Sequence, residues 1–80
     1  MAIANRDVYI ILHIDETLGD ARRNDLTDRL KSKAGIRSAD FCPFRYHLLL
    51  VRYDRDNLTS QYILHQVTNH SVHAQLIGPV

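Results

Sequence analysis

A single cysteine, Cys42, and no tryptophan occur in the 80 residues of this chain. One thiol excludes an intramolecular disulfide, and it excludes zinc sites built from four Cys or from two Cys and two His. Neither sign of charge dominates: 10 Lys+Arg against 9 Asp+Glu leave a formal net charge of +1. That balance argues against a nucleic-acid binder driven by phosphate neutralisation. Long hydrophobic runs are missing too. The apolar stretch from Val8 to Ile14 is seven residues and is interrupted by His13. It is too short to span a membrane and makes a poor signal-peptide core, and no basic segment precedes it. A cytoplasmic protein is expected. In that setting the triplets Asn57-Leu58-Thr59 and Asn69-His70-Ser71 read as chance matches to a glycosylation acceptor. There is no internal repeat and no low-complexity segment.

What is present is 45% apolar and 24% charged residues, the balance of a folded globular chain. The length fits one domain over residues 1–80. On the usual per-residue scale such a domain is stable by about 4–12 kcal/mol. Without a disulfide it depends on an efficient core or on a partner.

Val8 to Ile14 is rich in β-branched and aromatic residues and apolar on both faces, which predicts a central strand. A helix is expected from about Leu18 to Ala34, with Thr17 and Asp20 resembling a capping box and Leu26, Leu30 and Ala34 as its buried stripe. Gly35 suits the left-handed position that ends a helix. Ile36 to Pro43 reads as a second strand. Pro43 cannot donate a ladder hydrogen bond, which places this strand at an edge. Phe44-Arg45-Tyr46 is the expected connection to a third strand, His47 to Tyr53, again apolar on both faces. A second helix is expected from about Thr59 to Asn69, and a fourth strand from Val72 to Ile77. The order β-α-β-β-α-β implies an α+β, ferredoxin-like sandwich. Its antiparallel four-stranded sheet runs in the order 4-1-3-2 with both helices on one face. Each helix is expected to be a crossover between parallel neighbours.

This layout resembles the heavy-metal-associated domain, the small ferredoxin-like domain of copper chaperones and metal-transport ATPases. Gly35-Ile36 is similar to the Gly-Val that follows the first helix in that family. Val51-Arg52-Tyr53-Asp54 is similar to its Val-x-aromatic-Asp at the end of strand three. Thr59 to Val67 resembles the second helix and Ala74-Gln75-Leu76 the final strand. The family binds soft ions such as Cu(I) through a Cys-x-x-Cys in the loop after strand one, because thiolates are soft ligands and two satisfy the low coordination number. Those cysteines would fall near Leu18 and Ala21. Here the loop is Asp15-Glu16-Thr17-Leu18-Gly19-Asp20-Ala21, with no thiol, thioether or imidazole. Its carboxylates read as an acidic helix start favoured by the dipole.

Other candidate chemistry is sparse. Cys42 has no evident activating base and reads as a small apolar residue. His65, His70 and His73 could supply imidazoles to a transition metal, although a helix end and a strand start rarely converge. His13 and His47 lie on adjacent strands and are expected to face each other. Arg22, Arg23, Arg29, Lys31, Lys33 and Arg37 are interleaved with Asp20, Asp25 and Asp28, the pattern of a mixed solvated surface. The open sheet face is the remaining feature. Helices on one side leave apolar side chains on the other, and such a patch marks a partner surface. Its expected members are Tyr9, Ile11, His13, His47, Leu48 and Leu50. The expected function is a non-enzymatic interaction or adaptor domain without a cofactor or metal. It would bind a protein partner or a second copy through the sheet face, with no nucleic acid and no membrane. The alternative is a transition-metal-trafficking protein that uses His in place of Cys.

Overall fold

The computed structural model describes residues 7–79. The elements follow in the order β1 (Asp7–Ile14), α1 (Asp20–Lys31), β2 (Ile36–Cys42), β3 (Arg45–Asp54), α2 (Ser60–Thr68) and β4 (Ala74–Pro79). The four strands form one sheet in the order β2-β3-β1-β4, and all three pairings are antiparallel. This is the expected α+β, ferredoxin-like arrangement. Both helical connections differ from expectation. The strands joined by each helix are parallel, but an antiparallel strand lies between them, so they are not neighbours.

Alternation along the two central strands sorts their side chains. Ile10, Leu12 and Ile14 of β1 and Leu49, Val51 and Tyr53 of β3 are buried against Leu26 and Leu30 of α1 and Ile63 and Val67 of α2. Both helices therefore cover the same face. β2 keeps this phase only through a bulge. Ile36 pairs with Tyr53 and Ser38 with Arg52, so Arg37 is the extra residue. The insertion lets Ile36 and Ala39, three positions apart, both enter the core.

Helix α1 begins later and ends earlier than its sequence pattern implies. Leu18 is drawn into the core at 6% exposure, and the chain turns before Gly19, the N-cap, which has no side-chain cap. The Thr17–Asp20 capping box does not form. Asp20 pairs instead with the Arg23 guanidinium. Ala34 lies beyond the helix and is exposed, and Thr27 takes the third buried position, its hydroxyl donating to the Asn24 carbonyl at 3.1 Å. In α2, Thr59 caps the first turn by accepting from the Tyr62 amide at 3.1 Å. The β2–β3 turn is tighter than expected: only Pro43 and Phe44 lie between the strands, and β3 starts at Arg45.

Gly35 carries a structural requirement. Its φ is +93°, and a Cβ there would meet the Leu58 side chain at 3.1 Å. Its carbonyl accepts from the Asp54 amide at 2.8 Å, which fastens the α1–β2 turn to the end of β3. Gly35→Ala is expected to destabilise the fold by about 1–2 kcal/mol, the cost of the left-handed backbone for a residue with a Cβ. Urea denaturation measures it. An unchanged midpoint contradicts the assignment.

Candidate functional site

Antiparallel register determines what the open face presents. Ile11 pairs with Leu50, Tyr9 with Arg52 and His13 with Leu48. These six residues point away from the helices because Ile10, Leu12, Leu49 and Val51, alternating with them, point inward. Ile11, Leu48 and Leu50 are half-buried by one another, and Tyr9 is 43% exposed. On the β4 side Ile77 is 53% exposed and extends the apolar surface. Arg52 bounds it at one end, with its Nε and a terminal nitrogen 3.1 and 3.0 Å from the Asp7 carboxylate.

A notch opens on the β2 side of this face, with a volume of about 290 Å³. Tyr9, Phe41, Cys42, Pro43 and Leu50 supply apolar walls, and Ser38 and Asp40 supply the polar ones. Cys42 is half-buried there, and no His lines the notch.

The opposite end of the sheet brings His13 and His47 together. Their rings stack with centroids 5.6 Å apart and planes 13° from parallel. His47 Nδ1 donates to the Ile14 carbonyl at 2.6 Å, and His13 Nδ1 donates to the Asp15 carboxylate at 3.2 Å. Nearby, the Arg23 guanidinium lies 4.1 Å above the Tyr46 ring centroid, a cation–π contact between α1 and β3.

His65, His70 and His73 have separate surroundings. His65 is exposed on α2. His70 lies in the turn after α2, where its carbonyl accepts from Arg22 at 3.1 Å. His73 is turned to Glu16. Among the described residues, no group of three or more His, Cys, Asp or Glu side chains is placed to hold a metal ion. The basic side chains also have acidic neighbours: Arg29 with Asp25, Lys31 with Asp40, and Arg37 with Asp7 and Asp54.

The loop after β1 is fastened to the entry of β4. The Asp15 amide donates to the His73 carbonyl at 2.8 Å, and the His73 amide donates to both Glu16 oxygens at 2.8 and 3.1 Å. His73 Nδ1 completes the clamp at 2.6 Å from Glu16 Oε2. Sequence reasoning did not reveal this pair, since 57 residues separate its members. The hydrogen bond from the His73 ring holds the Glu16 carboxyl below its ordinary value, and the Glu16 carboxylate raises the His73 imidazole.

Loop stability should follow pH accordingly. With its folded value raised, His73 contributes fully below its ordinary 6.5, and the contribution fades as pH rises through the folded value. With its folded value lowered, Glu16 contributes fully above its ordinary 4.5, and the contribution fades as pH falls through the folded value. Wild type should therefore exceed Glu16→Gln in stability most between about pH 4.5 and 6.5, with the gap narrowing on both sides. Denaturation across pH measures this. A pH-independent gap contradicts the clamp.

No protein-family model and no curated protein matches this chain. Solved structures do. A copper-binding domain from HMA7, a P-type ATPase, aligns at 14% identity and a TM-score of 0.80, over 90% of this chain and 96% of that one. The yeast copper transporter domain CCC2A aligns at 16% identity and 0.80, over 91% and 99%. The N-terminal domain of a potential copper-translocating P-type ATPase from Bacillus subtilis, solved in its Cu(I)-loaded state, aligns at 18% and 0.81, over 92% and 91%. At such identities the likeness is one of fold. This chain has the fold of the heavy-metal-associated copper-binding domains, and its loop between β1 and α1 contains no cysteine.

Proposed function

We propose that this chain is a non-enzymatic, cytoplasmic interaction domain that binds a protein through the open face of its sheet. The observation that carries the reading is the contiguous apolar surface of Tyr9, Ile11, Leu48 and Leu50 on the face the helices leave uncovered. A patch of this kind at the centre of a sheet, with Arg52 and Asp40 at its margins, has the apolar-centre, polar-rim anatomy of a protein interface. The stacked His13 and His47 border it where the face meets the end of the sheet.

Several observations weigh against other classes. The fold's copper-binding relatives invite a metal role, but soft-metal capture in the β1–α1 loop needs thiolate ligands, and Asp15 to Ala21 supply none. Glu16, the carboxylate of that loop with the most partners, is engaged with His73. A cysteine nucleophile needs a base within hydrogen-bond reach, and the notch holding Cys42 is lined by no His. Arg23, Arg29, Lys31 and Arg37 are matched by carboxylates, which weakens the case for a nucleic-acid surface. Among the described residues no helix is long and apolar enough to cross a membrane.

A photo-crosslinking residue placed at Ile11 tests the reading in the cell. Covalent adducts to a protein are expected from that position and not from Asp28, exposed on α1. No adducts from Ile11, or equal adducts from both, contradict it. Titration of the purified chain with Cu(I) or Zn(II) should give no stoichiometric complex tighter than about micromolar. A tight complex at one metal per chain contradicts the reading.

A further inference from the structure

We infer that the occupant of the open face's notch is the β2–β3 turn of a second copy of this chain, with Phe44 as the inserted side chain. The inference rests on the sheet-face reading and names its partner.

Phe44 is 94% exposed at the tip of a two-residue turn. An aromatic side chain of this size presented wholly to water forgoes a large burial, and such residues act as interface anchors. Pro43 precedes it and fixes its own φ, so the tip is held without the partner. The complementary cavity is the notch beside it, walled by Tyr9, Phe41, Cys42, Pro43 and Leu50. Pro43 lines the notch and Phe44 does not, which leaves the Phe44 side chain available to enter the same cavity of a second molecule.

Charge agrees with shape. Arg45 follows Phe44 and is exposed. Asp40 lines the notch with its side chain 73% exposed, and its nearest cation, Lys31, stands 4.0 Å away. Phe44 entering the notch against the second copy's Tyr9 and Leu50 carries Arg45 towards the second copy's Asp40. A two-fold axis beside the β2–β3 turn generates both contacts twice, the closed symmetry of an isologous dimer. With a net charge of +1 per chain, long-range repulsion between copies is negligible.

Sedimentation of the purified chain from about 1 µM to about 1 mM spans the range expected of a small interface. A monomer–dimer equilibrium is expected. Phe44→Ala should weaken it by roughly 30-fold or more, as loss of an anchor does. Asp40→Arg and Arg45→Asp should each weaken it, and the double reversal should restore it. Asp40, Phe44 and Arg45 are all exposed, and circular dichroism of the variants verifies the fold. A wild type that stays monomeric overturns the inference, as does a dimer indifferent to Phe44→Ala or not rescued by the double reversal. If the dimer is absent while a crosslinker at Ile11 captures a different protein, the second-copy assignment falls and the sheet-face reading stands. If neither forms, both fall.

Discussion

Two helices cover one side of a four-stranded sheet whose central strands are apolar on both sides. The rest of the molecule follows from that mismatch. Leu12, Ile14, Leu49 and Val51 have no exposure at all, and with Leu30, Ile63 and Val67 they form the centre of the core. The same alternation that buries them turns Tyr9, Ile11, Leu48 and Leu50 outward. A period of two leaves no freedom in this. The apolar face is the unavoidable other half of the strands that stabilise the core.

The sheet's two ends are treated differently from its face. At one end Asp7 gathers Arg37 and Arg52, tying the start of β1 to β2 and β3. At the other, the loop after β1 is held by Glu16 and His73, and α1 is held by Arg23 over Tyr46. These are exposed or half-exposed polar contacts, each of modest strength in water. Their role is placement of loops. The heavy-metal-associated family that the sequence resembles is expected to hold metal in the loop after β1. In this chain that loop offers carboxylates, a hydroxyl and backbone, and its best-placed carboxylate is directed at a histidine imidazole within the same chain.

The architecture was legible because its determinants are local or periodic. Apolar runs at Val8–Ile14 and His47–Tyr53 marked the central strands, Pro43 marked the end of an edge strand, and Gly35 marked a left-handed turn that the structure places at φ +93°. The inward and outward sets of the central strands followed from alternation, except at His47, which shares the inward phase of Leu49 and Val51 and whose ring nevertheless stacks on outward-facing His13. What was not legible depends on tertiary contact. Leu18 shifts the start of α1 because the core takes it, and a sequence window cannot weigh that against a capping pattern. The extra residue at Arg37 appears only once β3 fixes the register. The Glu16–His73 clamp joins distant segments, and the angle of the His13–His47 stack depends on side-chain torsions. Parallel neighbours were expected from the crossover rule, but that rule describes adjacent strands. Here β3 separates β1 from β2, and β1 separates β3 from β4.

We propose that the sheet face, and not the loop after β1, is the working surface of this fold in this chain. Amide chemical shifts of the isotopically labelled protein test it residue by residue. Raising protein concentration is expected to move the signals of Tyr9, Ile11, Leu48, Leu50 and the Phe44 turn, and stoichiometric Cu(I) to leave Asp15 to Ala21 in place. Shifts confined to Asp15–Ala21 on adding Cu(I), with the sheet face unresponsive to concentration, would contradict it.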